Sequence, residues 1–450
     1  MTLRFGTDGV RGVANVELTP ELVLALGRAA GRVLARLDAP FLIGRDTRLS
    51  GPLLEAALSA GLAAEGVAVR LLGVVPTPGV AWLSAADAVP AAMISASHNP
   101  FPDNGVKFFA VGGRKLTDEV EERLEAELDR LVAGGGKGER HTGAAVGTVA
   151  GSSGAEPYAD ALVASLEGRR LDGLHVVVDC ANGAAHELAA EVLARVGAKV
   201  DVLFDHPDGT NINEGCGSTH PEPLQEAVVE RRADVGLAFD GDADRVLAVD
   251  HRGAVVDGDQ IIAVCALDRR QRGLLVGDTV AVTVMTNMGF RQAMEEAGIA
   301  VHETPVGDRY VLEALEERGW VLGGEQSGHV IFRDLATTGD GILTALQLLD
   351  AVARSGRSLA ELSSVMTRLP QVLRNVRVAD RAGLEGAEPF WAEVRSVQAE
   401  LGERGRVLVR PSGTEPLVRV MVEAPTNEQA EQAVARLCEA VATALGTANP

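Results

Sequence analysis

Three aspartates alternate in the stretch AFDGDADR, residues 238–245: Asp240, Asp242 and Asp244. Carboxylates at i, i+2 and i+4 on one loop repel one another unless a cation lies among them. Hard oxygen donors suit Mg²⁺, which uses few protein ligands and fills the rest of its octahedral shell with water or phosphate oxygens. The apolar run VGLAF before them has the composition of a buried strand, so the acidic loop is expected at a strand's C-terminal end. A calcium-binding EF-hand does not fit, because it needs glycine where Arg245 stands and glutamate where His251 stands. A solvated acidic turn would carry the same letters. A phosphatase using Asp240 as nucleophile is a further alternative, although Asp244 occupies a position where such enzymes carry a small hydroxyl residue.

A second segment, ISASHNP, sets Ser97 beside His98. Turn-forming Pro100, Pro102, Asp103, Asn104 and Gly105 follow, then Lys107. A hydrolase nucleophile is a poor fit. Neighbouring side chains of an extended chain point to opposite faces, which would turn His98 away from Ser97. The glycines that flank a nucleophile elbow are missing as well. A polar turn after a buried strand would look the same. If a metal sits among the aspartates, however, three carboxylates leave its shell short, and a phosphoryl group on Ser97 would complete it. Ser97 is then a phosphoryl relay exposed on a strand-to-loop turn.

Two further loops and one arginine are candidates. In RPSGTEPLVRV, Ser412, Gly413 and Thr414 can offer backbone amides and two hydroxyls to one anion. Arg410 and Arg419 bracket them and can add bidentate contacts to phosphate. In GGEQSGH, Glu325, Ser327 and His329 follow the apolar WVLG; a carboxylate and a hydroxyl on one loop suit sugar hydroxyls or an amine. Arg11 lies among glycines in RFGTDGVRG. An ordinary hairpin turn or polar loop accounts for each of these taken alone.

The elements that must carry these residues alternate. Thr19-Pro20-Glu21 reads as a helix N-cap with proline in the first turn, followed by Leu22, Leu26, Ala29, Val33 and Leu37 at helical spacing. HVVVD at 175–179 reads as a strand, Asn182-Gly183 as a turn, the next stretch as a helix to Val196, and AKVDVLF as a second strand. Such a βαβ unit implies a parallel or mixed sheet. Helix, glycine, strand recurs at Gly66, Gly197 and Gly298, compatible with three related α/β domains. A Gly/Ser-rich stretch from Ala133 to Gly154 marks a linker or loop, and Arg368-Leu369-Pro370 another boundary. Beyond it comes strand, helix, strand, loop, strand and a final helix with a Thr426/Gln429 capping box. The expected domains are 1–154, 155–253 and 254–369, each α/β with a mixed sheet, and a smaller α+β domain at 370–450.

Composition narrows the function. At 450 residues the chain has room for several domains, and 46% hydrophobic content supports real cores. A net charge of −21 opposes binding to nucleic acid or an anionic membrane, and 3% aromatic residues leave few platforms for stacking bases. The four cysteines are far apart without metal-ligand spacing, which suggests reduced thiols in the cytoplasm. No apolar run approaches about 18 residues, and the N-terminal stretch lacks a signal-peptide core.

Taken together and in order, FGTDGVRG, ISASHNP, FDGDADR, GEQSGH and RPSGTEPLVRVMVE closely resemble the α-D-phosphohexomutase superfamily. ISASHNP and GEQSGH resemble its glucosamine branch. The resemblance implies three α/β domains and a C-terminal domain around a central cleft. It implies that Ser97 is the phosphoserine, and that one Mg²⁺ per chain is held by Asp240, Asp242, Asp244 and the group on Ser97. Lys107, Arg11, Arg245, Arg309 and His329 fall where the family places basic residues around the transfer centre, with His98 beside them. Glu325 and Ser327 would read the sugar, and the Arg410–Arg419 loop would grip phosphate. The implied reaction interconverts glucosamine 6-phosphate and glucosamine 1-phosphate through a 1,6-bisphosphate, supplying UDP-N-acetylglucosamine and peptidoglycan precursors. Lys107 is the first candidate for general acid/base and His329 the second. The partner is a small sugar phosphate, and the chain a monomer or homodimer. A glucose/mannose mutase is the alternative within the family; a metal-dependent sugar phosphatase or a non-catalytic binding protein lies outside it. One departure is that AGSSGAEPYAD lacks arginines that relatives carry, at Ala150 and Pro157.

Overall fold

A computed structural model describes residues 9–36, 38–135, 141–152, 154–412 and 416–446. Its contacts divide into two compact units, one comprising the chain to Met285 with Ile299–Val365, the other Thr286–Gly298 with the chain from Met366.

In the first unit the sheet nearest the N-terminus has the strand order Val10–Val13, Asp103–Ala110, Ala91–Ile94, Phe41–Arg45, Val69–Val74, Val149–Gly151. It is mixed: the central pairs are parallel and Asp103–Ala110 runs antiparallel to both neighbours. Side chains alternate across it as strand geometry requires. Phe41, Ile43, Ala92, Ile94 and Phe108 enter one buried cluster, while Leu42, Ala91, Met93 and Phe109 enter another. The stretch Ala133–Gly154, expected as a linker, contributes Val149–Gly151 as a parallel edge strand on Val69–Val74.

The helices begin largely where local chemistry dictates. Thr19 Oγ1 accepts the Leu22 N–H at 3.3 Å and caps Pro20–Val33, whose buried face is Val23, Leu26, Ala29 and Ala30; Leu37 lies outside the described residues. The three glycines of the recurring pattern each have positive φ and precede strands that pair parallel with the strand before. One boundary differs. After His175–Asp179 the helix starts only at Leu188, because Ala181 and Asn182 take left-handed φ values and the Asn182 carbonyl accepts the Thr47 hydroxyl.

The second sheet has the order Val255–Val256, Val246–Asp250, Val235–Phe239, His175–Asp179, Lys199–Leu203. The third has Ala300–Thr304, Thr279–Thr283, Leu322–Gly324, Val330–Phe332.

In the second unit, the antiparallel strands Gln371–Arg377, Leu417–Glu423 and Arg406–Pro411 pack against the helices Glu388–Leu401 and Asn427–Leu445 around Phe390, Val420, Val422, Val434 and Leu437. The order along the chain is the one expected, and Thr426 Oγ1 accepts the Gln429 N–H, half of the capping box. The helix Met288–Glu296 belongs to this unit, with its Met288 N–H on the buried Glu423 carboxylate.

The helices Pro20–Val33 and Gly51–Ala64 approach each other closely. A Cβ on Gly61 would stand 2.3 Å from the Leu24 carbonyl oxygen, and one on Gly27 2.3 Å from that of Leu58. Backbone cannot yield as a flexible side chain can, so Gly61→Val is expected to cost about 3 kcal/mol or more. The midpoint of urea unfolding followed by circular dichroism measures it, with Ala60→Val as control at an exposed helix position.

Candidate functional site

The residues Asp240–Arg245 form the loop of an antiparallel hairpin that Phe239 and Val246 close. Left-handed backbone at Ala243, with φ 56°, folds the loop back on itself. All three aspartates are buried, and one oxygen from each lies within 4.8 Å of the others. Asp242 Oδ1 and Asp244 Oδ1 are buried and accept no hydrogen bond. Such oxygens are costly unless something cationic meets them, so the donor set fits a divalent metal. Burial, and then Asp244 and Asp242, push the Asp240 carboxyl well above its ordinary range. Burial acts the same way on Asp244, but Lys107, His329 and Arg245 outweigh it and hold that carboxyl well below. The opposed directions are what one group of like charges must do without a cation; a bound cation would let all three ionise.

Ser97 follows the strand Ala91–Ile94, and its Oγ donates to Asp240 Oδ2 at 2.6 Å. The expectation of an exposed serine is corrected: Ser97 is 1% exposed, enclosed by its own loop and by the aspartate hairpin. The expectation that His98 turns away also fails. Ser97 has φ 52°, so the chain is not extended there, and His98 Nδ1 lies 3.4 Å from Ser97 Oγ and 3.3 Å from Arg245 Nη1. Burial, then Arg245 and Arg11, depress the His98 pKa and favour the neutral ring.

Lys107 lies opposite Met93 on the strand Asp103–Ala110, with Nζ 2.9 Å from Asp242 Oδ2 and 3.5 Å from Asp244 Oδ2. Arg11 lies opposite Gly105 on the edge strand. His329 is buried with Nδ1 3.7 Å from Asp244 and Nε2 3.3 Å from Asp308. Its Nε2 also lies 3.1 Å from the Gly339 N, and although burial lowers its pKa, Asp244 and Asp308 outweigh burial and raise it. Glu325 opens the turn between Leu322–Gly324 and Val330–Phe332; its Oε1 accepts the Gly307 N–H, and burial raises its pKa. Ser327 is exposed at the tip. Arg309 is engaged by Asp118, the Leu116 carbonyl and Glu121, away from the aspartates' own hydrogen bonds.

In the second unit, Arg410 and Arg419 face each other across one ladder, and burial, then Arg419, lower the Arg410 pKa. Ser412 is buried with its N–H on the Leu417 carbonyl. Arg381, which the sequence did not single out, donates to the Ser412 carbonyl. Gly413 and Thr414 lie outside the described residues.

Other residues that the sequence did not single out reach the centre. Thr77, in the first turn of the helix Thr77–Asp87, donates to Asp242 Oδ2 at 2.6 Å. Asp46, Arg48, Ser95 and Asn213 bind the backbone around Ser97, directly or through one another. The only signal for Asp46 and Arg48 was the charged residues beside the apolar run FLIG in FLIGRDTR.

Comparison with known proteins accounts for this assembly. Residues 2–133, 156–253 and 257–369 match the phosphoglucomutase/phosphomannomutase alpha/beta/alpha domains I, II and III, and residues 373–440 match that family's C-terminal domain. The phosphoglucosamine mutase of Frankia alni is 55% identical over 457 residues, covering 99% of each chain. The chain belongs to the phosphoglucomutase/phosphomannomutase family, within the α-D-phosphohexomutases. A phosphoglucomutase/phosphomannomutase family protein of Burkholderia thailandensis shares 26% identity and superposes with a TM-score of 0.80, over 98% of each chain. The Aspergillus fumigatus N-acetylphosphoglucosamine mutase, solved with GlcNAc-6P and magnesium, is 19% identical with a TM-score of 0.68, covering 99% of this chain and 96% of its own, and shares the fold.

This phosphohexomutase therefore has an acidic triad able to take a metal, as members of its superfamily do. A metal that binds the folded state alone stabilises it by about 2.7 kcal/mol at a hundredfold excess over Kd. MgCl₂ is expected to raise the melting temperature of the wild-type protein and to leave Asp242→Asn nearly unmoved. Differential scanning calorimetry with and without EDTA measures both.

Proposed function

We propose that this chain interconverts glucosamine 6-phosphate and glucosamine 1-phosphate through a phosphoserine at Ser97. The observation that carries the reading is the 2.6 Å contact between Ser97 Oγ and the aspartate loop. The 55% identity to the Frankia alni phosphoglucosamine mutase supports the choice of sugar. Phosphoserine 97 would pass its phosphoryl group to the free sugar hydroxyl: the Ser97 Oγ–P bond breaks, an O–P bond to the sugar forms, and a 1,6-bisphosphate results. The bisphosphate turns end for end and the serine takes back the other phosphate. Phosphoryl transfer depends chiefly on positioning and electrostatics.

Mg²⁺, held by Asp240, Asp242, Asp244 and the phosphoserine, would supply positive charge to the transferring oxygens. Arg245 and Arg11, flanking His98, add cationic charge beside Ser97. Lys107 is the proposed general acid/base. His329 is less suited, because both of its ring nitrogens are engaged, Nδ1 by Asp244 and Nε2 by Asp308 and Gly339. His98 stays near Ser97 Oγ as a neutral neighbour. Glu325 and Ser327 are proposed to meet the sugar's amino and hydroxyl groups. Arg410, Arg419, Ser412, Gly413 and Thr414 are proposed to take the phosphate that is not being transferred. Arg309 would first have to leave Asp118 and Glu121 to contribute to substrate binding.

Three measurements test the reading. Intact mass is expected to give one phosphate on the expressed protein and none on Ser97→Ala. Lys107→Ala is expected to lose about 10²–10⁴-fold in kcat. In a coupled assay, efficiency on glucosamine 1-phosphate is expected to exceed that on glucose 1-phosphate; equal efficiencies would favour a glucose/mannose mutase.

A further inference from the structure

Ser97 is held at every polar atom. Its Oγ donates to Asp240; its N–H donates to Ser95 Oγ at 2.9 Å, and that hydroxyl donates to Asp46 Oδ2 at 2.7 Å. Its carbonyl oxygen accepts two donors from different parts of the chain, Arg48 Nη2 at 2.9 Å and Asn213 Nδ2 at 2.9 Å. Arg48 has no exposed surface. Its guanidinium binds Asp46 through Nε, the Pro100 and Asp103 carbonyls through Nη1, and the Asn99 carbonyl through Nη2. Asn213 repeats the pairing from the loop that follows Lys199–Leu203, since its Nδ2 also donates to the Asn99 carbonyl at 3.1 Å. Asn213 is itself left-handed, with φ 59°, and its N–H is tied to the Ala181 carbonyl. Two donors thus converge on the carbonyls of residues 97 and 99, one on each side of His98.

We infer that Arg48 and Asn213 are positioning residues that hold Ser97 in its left-handed conformation and so keep Oγ on Asp240. A serine rarely keeps positive φ unaided. Here the carbonyl of the strained residue is fixed by two side chains and its N–H by a third. Rotation about φ moves the Cβ, and with it Oγ, relative to these fixed atoms. Asn213 gives the inference its functional content. It arises from the loop after Lys199–Leu203, in the same α/β segment as Asp240, so the segment that carries the aspartates also sets the backbone of the serine facing them.

The inference rests on the phosphoserine reading, and the test separates the two. Asn213→Asp keeps the size of the side chain but replaces its donor by a carboxylate facing two carbonyls; Ser95→Ala removes the acceptor of the Ser97 N–H. Both variants are expected to lose about 100-fold in kcat with KM within threefold of wild type, as misplacement of a reacting atom does. The melting temperature of Ser95→Ala is expected within a few degrees of wild type, and that of Asn213→Asp lower, because its carboxylate is buried against two carbonyls. Reduced melting temperature with unchanged kcat would make Asn213 merely structural and overturn the inference. A wild-type protein without turnover and without phosphate on Ser97 would instead refute the phosphoserine reading. In that event the crystal structure of Asn213→Asp still decides the positioning claim. Ser97 is expected to leave the left-handed region and its Oγ to leave Asp240; an unchanged Ser97 overturns the claim.

Discussion

Mutual repulsion of three buried carboxylates is the constraint on which the rest of the first unit depends. Two unit charges 4.8 Å apart would repel by about 3–4 kcal/mol at an effective dielectric near 20; one oxygen of each carboxylate lies within that distance of the others, and burial together with this repulsion pushes the Asp240 carboxyl up. No hairpin loop would hold that arrangement by its own turn chemistry. The structure offsets it with cations and donors from several directions: Lys107 from the N-terminal sheet, the His329 ring from the third sheet, Arg245 from the loop itself, and the hydroxyls of Thr77 and Ser97. Each of these groups lies far from the aspartates in sequence, except Arg245. The like charges therefore act as an organising centre to which three sheets contribute, and Asp242 Oδ1 and Asp244 Oδ1 still accept no hydrogen bond there.

Both halves of the Ser97–Asp240 pair come from the C-terminal ends of strands, Ala91–Ile94 and Val235–Phe239. Loops there can carry polar groups without disturbing the ladders that support them, which is why sites in α/β sheets gather at strand ends. The two strands belong to different sheets, so the site requires both sheets to be correctly placed against one another.

Much of this was legible in the sequence, for physical reasons. The apolar run VGLAF has the composition of a buried strand, with the aspartates on the loop after it, and so it folds. The glycines at 66, 197 and 298 mark left-handed helix ends, so the recurring βαβ unit was readable from them. The burial of Ser97 was not readable. Turn-forming letters suggest exposure, and only the contact with a hairpin more than a hundred residues away reverses it. Arg48 was missed because an arginine that binds carbonyls uses no periodicity or spacing; its partners at 97, 99, 100 and 103 are backbone atoms, which leave no trace in residue type. The helix Met288–Glu296 follows the same local pattern as its counterparts but packs with the C-terminal unit, a choice made by the Glu423 carboxylate and by Gly289 lying against the Thr367 carbonyl. Among the expected phosphate-loop residues, Gly413 and Thr414 lie outside the described part of the chain, while Arg410, Arg419 and Ser412 meet at one end of the three-stranded sheet.

The edge strand Val149–Gly151 changes what the glycine-rich stretch before it means. The chain is pinned by its ladder to Val69–Val74 as far as Gly151, and the helix of the next segment begins at Ala155. Four residue steps can span about 14 Å at most. The segment bearing Asp240 is therefore joined to the sheet bearing Ser97 by a tether too short to let it diffuse away. In such a linkage the effective concentration of one partner at the other is set by tether length rather than by the affinity of their contact. The serine and the aspartates are thus kept within reach of one another by the covalent chain as well as by their 2.6 Å contact.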